Sequence, residues 1–130
     1  MVSIPKASTD VWAGRAQALA DSVGPILTWA RQEQSIQVDE ATLRSALSMD
    51  ALDNVLRERK LPLAAADGRI RLVDLADAPE TMLSPLAGYL HDTAAYDPGR
   101  GKGVPQAEAT YRQHSYVLSS LAPHIPMLLA

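Results

Sequence analysis

The stretch from Trp12 to Ala30 limits what this chain can fold into more than any other. Trp12, Leu19, Val23, Ile26, Leu27 and Ala30 recur at spacings of three, four and seven, the repeat of one face of an α-helix. A face of that kind must be buried, so the other elements have to assemble around it. Thr9 or Asp10 is placed to cap the helix, which should run to about Gln34. Pro25, following Gly24, removes a backbone donor inside the run. It predicts a kink there, or a split into two helices.

The elements that follow are shorter. Gln34–Gln37 is a polar break, and Asp39 then caps a helix burying Leu43, Ala46 and Leu47. Ser48 or Asp50 opens another, with Leu52, Val55 and Leu56 inward and Arg57-Glu58-Arg59-Lys60 at its end, stopped by Pro62. Asp67-Gly68 signals a turn, and Arg69–Leu72 alternates charged and apolar residues as a strand does. Its nearby partner would be Leu61–Leu63, leaving a short β-hairpin near residues 61–75 and a plain loop as the two readings. Pro79 or Pro85 opens a helix carrying Leu86, Tyr89, Leu90 and Ala94. Asp97–Pro105 is loop. A last helix from about Gln106 turns Tyr111, His114, Val117, Leu118 and Leu121 inward until Pro123 and Pro126 break it. The expectation is a mainly α, compact bundle of five to six helices.

Bulk properties narrow the class. The 130 residues suit one domain, with 1–8 as a disordered lead-in. Phenylalanine is absent and β-branched residues are sparse, which favours helices. The net charge of −3 argues against a chain whose main task is gripping a phosphate backbone. Without cysteine there is no disulfide or thiolate chemistry, which suits a reducing, cytoplasmic setting. No apolar run reaches the ~18 residues of a membrane span, so no direct membrane contact is expected. The apolar ending Pro126–Ala130 resembles a domain cut from something longer.

A search for chemistry yields no catalytic constellation, and the chain reads as a non-enzyme. In Gly99-Arg100-Gly101-Lys102-Gly103, Tyr96 stands where a phosphate loop needs glycine, and Gly103 stands where it needs serine or threonine. A solvated, flexible turn is the better reading. His91, His114 and His124 lack metal-ligand spacing, and His114 on an apolar face reads as a hydrogen-bonded core histidine. Ser115 beside His114 is no triad, because adjacent helical residues point in different directions. Asp74, Asp77 and Glu80 read as solvated surface. No cofactor or metal is expected. Arg57, Arg59, Lys60, Arg100 and Lys102 are candidate contacts for a substrate or DNA, although helix-end complementarity already accounts for the first group. Trp29 lies off the main stripe and is a candidate exposed contact.

Several short motifs together resemble a family. Val11-Trp12-x-Gly14-Arg15-Ala16, Leu27-Thr28-Trp29-Ala30-Arg31 and Thr42-Leu43-Arg44-x-Ala46-Leu47 are similar to the start of the all-α domain of type IV secretion coupling ATPases. The likeness is to TraG/TraD-like proteins, in the IncI TrbC/DotL branch. Pro85-Leu86-x-x-Tyr89-Leu90, Tyr96-Asp97-Pro98 and Thr110-x-x-Gln113-His114-x-Tyr116 resemble the rest of that domain in order and spacing. Asp67–Leu75 departs from the family pattern, and Ser115 stands where glycine is expected.

The resemblance implies an insertion in an ATPase motor of the same parent chain, on the cytoplasmic face of an inner-membrane-anchored complex. There it would recognise substrate in conjugative DNA transfer or secretion, meeting a relaxase or relaxosome, a secreted protein, or DNA itself. Gln113, His114 and Tyr116 would be a structural signature, a polar clasp holding the last helix against Leu86–Leu90. An inserted domain should also return the chain on the side where it entered. The alternative is a free-standing DNA-binding adaptor, with helices 39–47 and 49–60 as a helix-turn-helix pair.

Overall fold

The computed structural model describes residues 12–101 and 103–129. The lead-in at 1–8, the caps at Thr9 or Asp10 and the contact residue Lys102 lie outside them. Six α-helices and one hairpin follow in order: α1 (Ala13–Gln34), α2 (Glu40–Ala46), α3 (Met49–Glu58), β1 (Lys60–Ala64), β2 (Ile70–Asp74), α4 (Glu80–His91), α5 (Glu108–Leu121) and α6 (Ile125–Leu128). The fold is mainly α with a short hairpin.

Helix α1 is the axis. Its buried face, Ala16, Leu19, Val23, Ile26, Leu27 and Ala30, packs between α4 and α5. Leu43, Leu52, Leu61, Leu86 and Leu121 complete one contiguous apolar core. The helix does not split at Pro25, and Pro85 lies inside α4 instead of opening it. Both prolines are exposed, as are Asp21 and Thr81, the residues four positions earlier whose carbonyls lose a partner. Water can serve those carbonyls, so the usual penalty is reduced.

Asp39 caps α2 in a capping box with Thr42, each side chain bonded to the other's backbone N–H at 2.8 Å. Ser48, not Asp50, caps α3. That helix ends at Arg59, which is left-handed with φ 55°, before Pro62 is reached. Pro62 sits in β1 opposite Leu72. Helix α4 stops at His91, so Ala94 lies beyond it and is exposed. Tyr111 and Leu118 are only half-buried, and Thr110 joins His114, Val117 and Leu121 on the inner face of α5. Helix α5 ends at Leu121 as expected, and Pro123 and Pro126 stand in the first turns of a 3-10 turn, Ala122–His124, and of α6.

The hairpin pairs Lys60–Ala64 with Ile70–Asp74, longer on both sides than the alternation suggests. Gly68, at φ 89°, takes the left-handed turn position that a side chain would resist. Leu61, Leu63 and Val73 face the core, whereas Ile70 and Leu72 face outward, 68% and 55% exposed. Among the described residues no helix is long and apolar enough to cross a membrane.

Candidate functional site

The inner face of α5 carries polar groups that meet three other parts of the fold. Thr110 Oγ1 donates to the Ala94 carbonyl at 2.7 Å, and Gln113 Oε1 accepts from the Ala94 N–H. His114 is buried, with Nε2 2.7 Å from the Leu47 carbonyl and Nδ1 2.8 Å from the Tyr89 hydroxyl. A carbonyl only accepts, so Nε2 carries the hydrogen, and Nδ1 of the neutral ring accepts from Tyr89. Burial holds the imidazole pKa below its ordinary value; the Leu47 bond opposes this and the Arg15 charge adds to it. Burial also pushes the Tyr89 phenol well above its ordinary range.

Arg15 completes the cluster. Its guanidinium lies 4.3 Å from the centre of the Tyr89 ring. Nη2 donates to the Tyr89 carbonyl at 3.0 Å and to Thr93 Oγ1 at 2.9 Å. The position was legible in the sequence, since Arg15 stands three residues after Trp12 and four before Leu19, within the apolar stripe. A cation there needs a partner, and the Tyr89 ring is a good one. Tyr116 stands apart from these bonds. It is 47% exposed, and its ring lies 5.6 Å from that of Trp12.

The candidate contact residues divide in their surroundings. Arg57 turns largely inward, its side chain 19% exposed, and Nε donates to Asp53 at 2.8 Å. Its other nitrogens donate to the Arg100 and Asp97 carbonyls, tying the glycine-rich loop to α3. Tyr96 donates to Asp53 at 2.5 Å and Tyr111 to Asp50 at 2.6 Å. Gln106 exchanges two 2.8 Å bonds with the backbone of Asp97. Arg100 Nη1 donates to the Pro105 carbonyl at 2.8 Å. The loop is thus a tethered turn rather than a freely solvated one. Between it and α3 lies a cleft of about 240 Å³ lined by Asp50, Asp53, Arg57, Glu58 and Tyr111 among others. Arg59 pairs with Glu80, and Lys60 is exposed beside it at the start of β1. Carboxylates accompany Arg57, Arg59 and Arg100, so the surface around these candidates is of mixed sign.

Helices α2 and α3 are consecutive, joined by Leu47 and Ser48. The polar side chains of α3 that could read bases are occupied: Asn54 donates to the Lys60 carbonyl at 2.8 Å, and Arg57 is held as described. The described ends of the chain lie apart. Trp12 is beside Tyr116 at the start of α1, while the Leu128 carbonyl accepts from Arg31 near its far end. The described residues therefore do not bring the two ends together.

No family model matches the chain. Over 112 residues it is 26% identical to the type 4 coupling protein DotL of Legionella pneumophila, a match covering 86% of this chain. It is a distant relative of a coupling protein. The chain spans 14% of the length of DotL, so the likeness concerns one portion of that protein.

Proposed function

We propose that this chain is a substrate-docking domain of a type IV secretion coupling protein, working by surface complementarity and performing no chemistry itself. The observation that carries this reading is the similarity to DotL along most of the chain. The cargo would be a relaxase–DNA complex or a secreted protein, presented to a motor elsewhere in the same parent chain on the cytoplasmic side of the membrane. Arg59 and Lys60, at the junction of α3 and β1, and Arg100 and Lys102 in the glycine-rich loop are the contact groups of this reading. Arg57 serves it indirectly, by holding the loop against α3 through bonds to two loop carbonyls. The mixed sign of the surface suits protein cargo better than bare duplex DNA, whose affinity grows with net positive charge.

The test is charge reversal in the host at Arg59, Lys60 and Lys102, leaving Arg57 to keep the loop in place. Delivery of cargo should fall while the abundance of the protein stays unchanged and its stability drops by no more than about 1 kcal/mol, the worth of the exposed Arg59–Glu80 pair. Full delivery by the triple variant would remove these residues from the account, and full delivery after deletion of the whole segment would overturn the docking role.

A further inference from the structure

The two edges of the hairpin differ in a way that bears on binding. Bonds from Leu75 N–H to the Arg59 carbonyl and from Ala65 N–H to the Arg69 carbonyl, both 2.8 Å, flank the ladder. In an antiparallel pair such bonds recur at every second residue, so the odd-numbered residues 61, 63, 71 and 73 face the partner strand. The even-numbered residues point their backbone groups outward. On β1 this edge packs against α2 and α3: Ala64 N–H donates to Ser45 Oγ, the Lys60 carbonyl accepts from Asn54, and Pro62 has no N–H to offer. On β2 the Asp74 carbonyl accepts from Gln34. The N–H and C=O groups of Ile70 and Leu72 meet no partner among the described residues.

A groove of about 520 Å³ runs beside this free edge, between the hairpin and the turn at residues 35–37. Ile36, Thr42 and Leu63 lie along it, with Arg69 and Arg71, and no carboxylate lines it. Arg69 is paired with Asp67, but Arg71 forms no ion pair among the described residues. In a chain of net charge −3, this is a local excess of positive charge beside four unused backbone groups and two exposed apolar side chains.

We infer that the β2 edge binds an extended acidic peptide, which adds as a third strand along Ile70–Leu72 with a carboxylate set against Arg71. Strand addition supplies main-chain bonds for affinity, and the two-residue repeat supplies specificity. A carboxylate meets Arg71 on one face while apolar side chains at alternate positions meet Ile70 and Leu72 on the other. A second copy of this chain fits less well. Symmetric pairing about residue 71 sets two Arg71 side chains directly opposite, and pairing about Leu72 sets them on the same face two residues apart. The inference rests on the hairpin and its groove alone, so it and the docking role proposed above can fail separately.

The test uses a blocked hexapeptide of alternating glutamate and valine, with a lysine–valine peptide as control, titrated into the full chain and followed by amide NMR. The acidic peptide should shift the Ile70 and Leu72 amides and slow their hydrogen exchange, while the lysine peptide should do neither. Arg71→Glu should weaken binding by about two- to fivefold, as expected for loss of an exposed ion pair. Leu72→Pro should abolish it, because the Leu72 N–H points away from β1 and its loss spares the hairpin's own bonds. The inference is overturned by no shift at millimolar peptide, by equal binding of the lysine peptide, or by Leu72→Pro binding normally. It is equally overturned if those amides become protected with rising protein concentration alone, which would make the occupant a second copy.

Discussion

Tyr89 donates its hydroxyl hydrogen to Nδ1 of His114 at 2.8 Å, and Nε2 of the same ring donates to the Leu47 carbonyl at 2.7 Å. One imidazole thereby bonds α5 to α4 and to the junction of α2 and α3. Both bonds are buried and span 25 and 67 residues of sequence. They fix how the helices surrounding α1 sit against one another.

His114→Ala should therefore be costly. It leaves the Tyr89 hydroxyl and the Leu47 carbonyl buried without partners and opens a cavity, together about 2–4 kcal/mol. Urea unfolding measures this directly. A loss below about 1 kcal/mol would mean that water or neighbouring groups replace the ring readily.

The same ring gives stability a pH dependence. The unfolded chain protonates His114 near about pH 6.5, whereas burial lowers the pKa of the folded ring. The folded state then binds fewer protons, so this contribution is complete above about pH 6.5 and declines as pH falls toward the folded pKa. Between about pH 7 and about pH 5, the wild type should lose more unfolding free energy than His114→Phe. Parallel curves for the two proteins would assign the effect to other groups.

Tyr96→Phe should loosen the glycine-rich loop. The substitution removes the bond to Asp53, which the Arg57 tether shares, at a cost of about 1–2 kcal/mol. Trypsin should then cleave after Arg100 faster than in the wild type, with the remaining fold intact. Unchanged cleavage would show that the Arg57 and Gln106 bonds hold the loop unaided.

Ser35 ends α1 in the left-handed region, with φ 53° and ψ 39°. A serine side chain resists that conformation and glycine does not, so Ser35→Gly should stabilise the protein by about 0.5–1 kcal/mol. A fall in thermal midpoint would mean that the greater freedom of glycine in the unfolded chain outweighs the relief.

What could be read from the sequence follows from how local each signal is. The α1 stripe, the Asp39 cap and the Asp67-Gly68 turn each act within a few residues, and each appears in the fold. Pro25 does not split α1, and α4 opens at Pro79 rather than Pro85, because the cost of an internal proline depends on whether water reaches the freed carbonyl, a property of tertiary packing. The alternation Arg69–Leu72 signalled a strand but not which face is buried, and the core took Val73 while Ile70 and Leu72 face solvent. For the site, the sequence showed His114 on an apolar face but could not show Leu47, 67 residues away, as its acceptor. It likewise showed Arg57 as a cation at a helix end, and not that its guanidinium turns onto the loop.

Calorimetric titration of this chain with the proteins its host exports through a type IV system tests the docking role most directly. The account predicts saturable binding to cargo, weakened by Lys60→Glu and absent for cytosolic proteins that are not exported. No binding by any cargo at about 100 µM, a threshold of about 5.5 kcal/mol, would contradict it.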